Sequence, residues 1–502
     1  MNHETDFYKE DVAKTLEDYK KIPTSEWQKK GQDFAIELFQ KASVRIPAYK
    51  DFLKKHKINP DIVKTYEDFR NIPLVEKDNY LRAYPLKTLT WDGKFENLYM
   101  LSSSSGSTGV PYLWPRGSFQ EVEGARFVEL FYKYMFDMDK KSTLYVVSFG
   151  MGTWIAGTFM TAVTEIISRK GYPILMITPG LEKDLLINLI KQVQDEFDQV
   201  LIIGYPPFVK DIIDSGDDLG VDWSKLNLKL MFAAEGFSEQ WRDYIHKKIG
   251  SNNPLKTSTN IYGTADSAIM GMETPLSILL RRVLLKKDKI NDFFGDNRQP
   301  TVVQYDPTQR FFEKIGNELV FTANSGIPLI RYNLHDNGDI ITYEKVKTTL
   351  EENGTSIKKT LNKYDSKDFD WKLPFLYLFG RSNFMVNFYG LGIFPEHIKA
   401  GLEDIRVSNL LSGKFNMKTD TDRRHNQKLL INIELQRETE PNKNIEKLIL
   451  ESILKHLKEL NSEFNKLYKE LGPKKATPIL HLFNYGNEQF KIGAKHEWIK
   501  KT

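Results

Sequence analysis

Between about residue 95 and residue 345, short apolar runs alternate with longer amphipathic ones, which limits the chain to few architectures. The runs Thr143–Ser148, Ile174–Ile177, Gln199–Ile203, Lys229–Ala233, Thr259–Tyr262 and Glu318–Thr322 have the length and apolar content of strands. Segments with helical spacing fit between several of them, as in Lys183–Glu196 and Ser238–Ile249. Repeated strand–helix–strand order predicts an α/β unit with a largely parallel sheet, because parallel neighbours need a long crossover connection.

The flanking regions read differently. Residues 1–95 are mostly helical in pattern, with prolines at 23, 47, 60, 73 and 85 acting as stops. The segment 346–372 is polar and lysine-rich and reads as an extended hairpin or a mobile insertion. A second unit starts near Gly380, with a helix around Pro395–Ile405 and a strand at Lys428–Leu435. A long charged helix over Asn442–Leu471 and a lysine-rich closing segment follow. The expected organisation is a large α/β domain over 1–379, with mixed and parallel sheets and a helical lead-in over 1–95. A small, mobile α+β domain over 380–502 completes it.

Composition narrows the function classes. A chain of 502 residues has room for two or three domains and a substantial core. Its 71 basic and 67 acidic residues leave a formal charge of +4, which makes no case for nucleic-acid binding. The absence of cysteine excludes disulfides, thiolate nucleophiles and cysteine-ligated zinc, and suits a reducing, cytoplasmic setting. The nine histidines are scattered without metal-ligand spacing, so no dedicated transition-metal site is expected. Met1–Glu10 is acidic and polar, unlike a signal peptide. Leu144–Ile167 resembles a membrane span but contains Ser148, Gly150, Gly152, Thr153, Gly157, Thr158 and Glu165. It reads as a buried strand, a glycine turn and a packed helix, so a soluble chain without a membrane partner is expected.

One short segment points to a ligand. Ser102-Ser103-Ser104-Ser105-Gly106-Ser107-Thr108-Gly109-Val110-Pro111 packs hydroxyls and glycines between a strand end at Leu98–Leu101 and a helix after Pro115. That helix carries Phe119, Val122, Phe127, Leu130 and Phe131 on one face. Glycines let backbone N–H groups approach a polyanion closely, and Ser and Thr hydroxyls donate alongside them. The alternative, a flexible Ser-rich linker, sits poorly with such apolar flanks and such a short length. Gly106 and Gly109 are too close, and no Gly-Lys-Ser/Thr follows, for a Walker A loop.

Further segments occur in an order that resembles the adenylate-forming (acyl-CoA synthetase-like) superfamily, specifically its phenylacetate–CoA ligase-like branch. Asp68-Phe69-Arg70-Asn71-Ile72-Pro73-Leu74, with Lys77 and Tyr84-Pro85, is similar to that branch's lead-in. Ser104–Pro111 looks like its phosphate loop, and Gly150–Gly157 like its aromatic-and-glycine turn. Ala234-Glu235-Gly236, Tyr262-Gly263-Thr264-Ala265-Asp266 and Pro328–Asp336 follow. Gly380-Arg381-Ser382-Asn383 and Gly390–Glu396 complete the set. The resemblance covers about residues 45–410 well and the tail poorly.

The resemblance implies ATP, Mg²⁺ and a thiol acceptor, either CoA or the phosphopantetheine of an acyl carrier protein, with a carboxylic acid as substrate. Ser104, Ser105, Gly106, Ser107, Thr108 and Gly109 would hold the β- and γ-phosphates. Asp266, where the family carries Glu, would serve Mg²⁺; its alternative reading is a helix N-cap after the strand. Asp336 would accept the ribose hydroxyls, against an ordinary turn in His335–Gly338. Tyr262 would stack on adenine, with Ala234, Glu235 and Gly236 as the facing wall and Gly263 and Thr264 beside it. Arg381 would reach ribose or phosphate, and Asn383 would be the hinge. Lys495 would bridge carboxylate and α-phosphate, with Lys491 as its rival. Phe149, Trp154, Ile155, Ala156, Gly157 and Tyr205 would line an acyl pocket suited to a flat aryl acid, though core packing accounts for the same residues. Tyr112 and Trp114 stand where many relatives of the wider superfamily carry Lys, a residue that the phenylacetate branch often lacks too, so the departure agrees with that branch.

Three readings therefore stand: an AMP-forming acid–thiol ligase, an acyl-protein synthetase supplying a reductase, and a catalytically silent adenylate-binding scaffold. A homodimer is compatible with each. A hydrolase lacks its Gly-x-Ser-x-Gly elbow, and a dinucleotide-binding oxidoreductase lacks the third glycine after Gly150-x-Gly152.

Overall fold

A computed structural model describes residues 3–490, apart from 104–111, 235, 296–298, 382–385, 394, 403, 405 and 437. The predicted phosphate loop Ser104–Gly109, together with Glu235, Asn383, Lys491 and Lys495, lies outside the described residues.

Helices dominate the first hundred residues, the longest being Thr24–Arg45. A hairpin of β1 (Met100–Ser103) and β2 (Leu113–Arg116) then brackets the Ser/Gly loop. Next come β3 (Thr143–Ser148), β4 (Ile174–Ile177), β5 (Gln199–Gly204), β6 (Lys229–Ala233) and β7 (Ser258–Thr264). They are followed by β8 (Ala268–Met272), β9 (Thr301–Gln304), β10 (Arg310–Ile315), β11 (Glu318–Ala323), β12 (Leu329–Ile341) and β13 (Phe375–Arg381). These eleven form one sheet in the order β10-β11-β12-β13-β9-β8-β7-β6-β5-β3-β4.

The predicted strands fall where the apolar runs placed them, but the sheet is mixed rather than largely parallel. Pairings from β4 through β7 are parallel, and every pairing from β7 to β10 is antiparallel. Buried aromatic and aliphatic side chains of the lead-in, among them Phe39, Tyr49, Phe52 and Phe69, share a core with Phe311, Phe321 and Tyr332 of the antiparallel half. Gly326 sits where a side chain is sterically impossible, since a Cβ there would lie 1.7 Å from the Pro115 carbonyl oxygen. The turn before β12 thereby presses directly on β2.

Two local expectations are corrected. The 346–372 segment is neither hairpin nor open insertion; it carries helices Tyr343–Glu352 and Ile357–Lys363, capped by Thr342 and Ser356. Val346, Leu350, Ile357 and Leu361 are buried one helical turn apart in pairs, while lysines occupy the outer face. The long helix Asn442–Leu471 is two helices, Lys443–Leu460 and Ser462–Leu471. Asn461 breaks it by capping the second: its side chain accepts from the Phe464 amide at 2.9 Å and donates to the Gly392 carbonyl at 3.1 Å.

After residue 380 the chain forms a hairpin of β14 (Val386–Phe388) and β15 (Leu391–Ile393). A sheet of β16 (Leu411–Thr421), β17 (Gln427–Leu435) and β18 (Ile479–Phe483) follows, covered by the two helices just described. No helix among the described residues is long and apolar enough to cross a membrane.

Candidate active site

The parallel half of the sheet delivers predicted site residues to one edge. Phe149 follows β3, Tyr205 follows β5, Ala234 follows β6, and Tyr262, Gly263 and Thr264 close β7. In open α/β sheets, the crevice outside the carboxyl ends of parallel strands is where ligands bind. Ala233 is in register with Ile261, so the chain leaves β6 at Ala234 beside Tyr262. Ala234 takes a left-handed φ of 75°, unusual for a residue with a side chain, and both Ala234 and Gly236 are exposed. A Cβ on Gly236 would lie 2.7 Å from Thr301 Oγ1.

Tyr262 and Asp336, 74 residues apart, meet in the buried floor of this edge: the Tyr262 hydroxyl donates to Asp336 Oδ2 at 2.6 Å. Asp336 lies within β12 and not in a turn, which corrects the turn reading. The backbone of Arg381 on β13 stands opposite Asp336 in the ladder, so both reach the same row of the sheet. Asp266 does not cap a helix. It lies in the tight turn between antiparallel β7 and β8, is 3 % exposed, and is followed by Ser267, whose amide donates to Thr264 Oγ1 at 3.2 Å. Burial and the neighbouring Asp266 carboxylate together push the Tyr112 hydroxyl well above its usual range. Tyr112 leaves the Ser/Gly loop, so the loop's end and Asp266 are neighbours.

The start of that loop is tied down as well. Ser103 donates its amide to the Thr153 carbonyl at 2.9 Å and forms a bridge with Trp154. The aromatic-and-glycine turn is thus adjacent to the loop. Within the turn, the Trp154 ring lies on Gly150, and a Cβ on Gly157 would meet the Gly150 carbonyl oxygen at 2.7 Å. Phe149 and Tyr205 pack edge to face, 4.9 Å between centroids. Trp154, Ile155 and Ala156 remain partly exposed, while Phe149 and Gly157 are buried.

The β14–β15 hairpin closes on this group. Gly390, at φ 81°, rests on the Tyr205 ring, with its would-be Cβ 2.7 Å from Tyr205 Cδ1. Helix Pro206–Asp218, preceded by its N-cap Tyr205, carries two more contacts to the same end of the chain: Lys210 donates to Asn426 Oδ1 at 3.1 Å, and buried Asp211 pairs with Lys475. Valine at Gly390 is expected to unseat the hairpin, so limited proteolysis should cut near residues 380–395 several-fold faster than in the parent chain. Unchanged cleavage would show that this contact does not hold the hairpin.

Sequence reasoning missed a buried charge network behind the Ala234–Gly236 wall. Arg242 bonds Glu273 Oε2 at 2.6 Å and Glu239 Oε2 at 3.0 Å, and Arg281 bonds Glu273 Oε1 at 2.8 Å and Glu239 Oε1 at 3.0 Å. All four are at most 1 % exposed. Arg281 also donates to the Phe237 carbonyl, which anchors the segment running out of the wall. The available signal was Glu273 and Arg281 embedded in the apolar run Ile269–Leu285, where unpaired charges are costly. His246, also buried here, meets Ser258 Oγ at 2.9 Å. Burial, then the charges of Arg242 and Arg282, hold it neutral, down to about 3. The unfolded imidazole binds a proton near pH 6.5, so stability is fully present above that pH and falls as the solution is acidified. The expected loss is about 2 kcal/mol by pH 5, and His246→Gln should flatten the pH dependence of the thermal midpoint.

No protein-family model matches the chain. Its fold is that of the adenylate-forming enzymes, as the order of motifs implied. Over 96% of its length it superposes on 91% of 2-hydroxyisobutyryl-CoA ligase, solved with 2-HIB-AMP and CoA in the thioesterification state, at a TM-score of 0.65 and 14% identity. The postadenylation and open states of that ligase superpose at 0.52 and 0.51. In sequence the chain is 23% identical, over 60% of its length, to phenylacetate-coenzyme A ligase of Thermus thermophilus, of which the match spans 62%. The chain thus matches less than two thirds of that curated relative.

Proposed function

We propose that this chain is an ATP-dependent acid–thiol ligase that makes an acyl-AMP, releases pyrophosphate and passes the acyl group to a thiol. The observation that carries this reading is the convergence on one sheet edge of Phe149, Tyr205, Ala234 and Tyr262, with Tyr262 bonded to Asp336 at 2.6 Å. Those are the positions that the resemblance assigned to acid, adenine and ribose.

In this reading a carboxylate oxygen attacks the α-phosphorus of ATP and the bond to pyrophosphate breaks. The protein contributes position and charge neutralisation. Ser104–Gly109 donate to the β- and γ-phosphates, Asp336 accepts from the ribose hydroxyls, and Tyr262 with the 234–236 segment borders adenine. Arg381 and Lys495 supply cationic donors to ribose or phosphate and to the reacting carboxylate, respectively. Asp266, a hard oxygen donor beside the loop's exit residue Tyr112, fits as the Mg²⁺ ligand. The ion would neutralise the phosphate charge. A thiolate then attacks the acyl carbonyl and AMP departs. The chain has no cysteine, so that thiol comes from outside, from CoA or from a carrier-protein arm. The aromatic lining by Phe149, Trp154 and Tyr205 favours a flat aryl acid, and the chain divides near Asn383 into a large and a small domain.

Carboxylate-dependent ATP–pyrophosphate exchange across aryl and short aliphatic acids tests the first half-reaction. CoA and a phosphopantetheinylated carrier protein, added in turn, identify the acceptor. Exchange led by aryl acids is expected. AMP binding without exchange on any acid would leave the silent-scaffold reading in its place.

A further inference from the structure

At the opposite end of β6 from the candidate active site, Lys229 lines a cavity of about 600 Å³. Near it, two other lysines take up two carboxylates. Asp137 Oδ2 holds Lys141 at 3.2 Å, and Asp137 Oδ1 faces Lys256 at 3.4 Å. Asp365 is taken by Lys256 at 2.6 Å. Among the described residues, Lys229 makes no ion pair, although it is largely enclosed. The cavity lining itself carries two further lysines: Lys225, paired with Asp222 at 3.1 Å, and Lys363, lying over Tyr364. Ser224, Ser251 and Asn252 supply polar groups between them.

This arrangement has a chemical consequence. A desolvated ammonium without a counter-ion gives up its proton more readily, and a neutral amine is a nucleophile. Lys225 and Lys363, which line the cavity with Lys229, give it cationic groups suited to phosphate oxyanions. We propose that Lys229 is a site of N-acylation, its ε-amine accepting acyl groups from donors whose leaving group carries phosphate.

The amine nitrogen attacks the donor's carbonyl carbon and an amide C–N bond forms. The carbon–sulfur bond of an acyl-CoA, or the carbon–oxygen bond of an acyl phosphate, breaks. The leaving group carries away the electron pair, and the amine proton passes to solvent. No oxidant or other reactant is needed. The product amide is uncharged, which removes one of three mutually repelling cations from an enclosed site.

Burial and Lys141, with Asp137 opposing and Lys256 reinforcing, push the Lys229 ammonium down to about 8. Relative to an ordinary lysine, the neutral fraction at pH 7 rises by about 300-fold. Lower basicity returns part of that gain, leaving an expected advantage on the order of ten-fold.

The test is competitive acetylation of the whole protein by acetyl-CoA, acetyl phosphate and the phosphate-free p-nitrophenyl acetate, with initial rates read for each lysine by peptide mass spectrometry. Exposed Lys54 is the internal reference. With either phosphate-bearing donor, Lys229 should label about ten-fold faster than Lys54 at pH 7.5, and its rate should level off near pH 8 while that of Lys54 keeps rising. The faster of the two donors names the source of the acyl group. Lys229→Arg should remove the fast-labelled peptide and leave the others unchanged. A Lys229 rate no greater than that of Lys54, a profile still climbing above pH 9, or equal preference for p-nitrophenyl acetate would each overturn the proposal. Because the donors are supplied ready-made, the outcome does not depend on the ligase reading.

Discussion

Asp336→Ala is expected to lower carboxylate-dependent pyrophosphate exchange by at least about 100-fold while leaving the fold intact. The residue is 4 % exposed, sits in the middle of β12, and accepts the Tyr262 hydroxyl. Removing the carboxylate takes away the acceptor assigned to the ribose hydroxyls and at the same time releases the Tyr262 ring that borders adenine. Hydrogen bonds to a charged partner are each worth roughly 1.5–3 kcal/mol, and two assigned roles are lost together. Asp336→Asn keeps the shape and loses the charge, so its activity should fall between the parent and the alanine variant. Tyr262→Phe, which removes one bond, should cost about ten-fold, mostly in KM for ATP. Circular dichroism and the thermal midpoint separate this from unfolding. A folded alanine variant with full exchange would remove Asp336 from the nucleotide site.

The largest effect on stability is expected from Glu273→Ala. Both oxygens of Glu273 are engaged by arginines in a fully buried setting, at 2.6 and 2.8 Å. Burial pulls the Arg242 guanidinium toward neutrality, and the Glu239 and Glu273 carboxylates more than reverse this, so its charge is retained. Deleting one carboxylate leaves two buried cations facing Glu239 alone. Breaking a buried pair in this way typically costs about 3–5 kcal/mol, whereas replacing all members with apolar groups of similar volume is often neutral. The thermal midpoint should therefore fall by about 10 °C in Glu273→Ala, and the quadruple change Glu239→Leu, Glu273→Leu, Arg242→Met, Arg281→Leu should recover much of it. Since Arg281 anchors the Phe237 carbonyl, ATP affinity should drop in the single variant too. A midpoint shift below about 2 °C would mean that the network contributes little.

How much of this was readable in advance follows from what sets each feature. Strands β3, β4 and β6 begin and end where their apolar runs do, because each is bounded by polar or turn-forming residues; β3 and β6 are also buried along most of their length. The two helices Tyr343–Glu352 and Ile357–Lys363 were not legible because lysines crowd their outer faces and only a few positions, Tyr343, Val346, Thr349 and Leu350 in the first and Ile357 and Leu361 in the second, face inward. The break at Asn461 was hidden by a continuous run of good helix formers, and it depends on a bond to Gly392, 69 residues away. The turn-like string His335-Asp336-Asn337-Gly338 is drawn into β12 by its neighbours. A register shift between Asn337 and Gly338 lets the bare glycine approach the Tyr377 carbonyl, where a Cβ would lie 2.1 Å away.

Local pattern was therefore enough for the α/β class and for most element boundaries in the parallel half, while Tyr262, Asp266 and Asp336 were singled out by the order of motifs that carries the family resemblance. These features depend on residues close together in the chain, through hydrophobic spacing and motif chemistry. The antiparallel direction of half the sheet, the bond between Tyr262 and Asp336, the loop-side position of Asp266 beside Tyr112, and the lack of an ion pair for Lys229 among the described residues have no local signature. Each arises from strand order and from charges competing across long sequence separations, and those are settled when the chain packs.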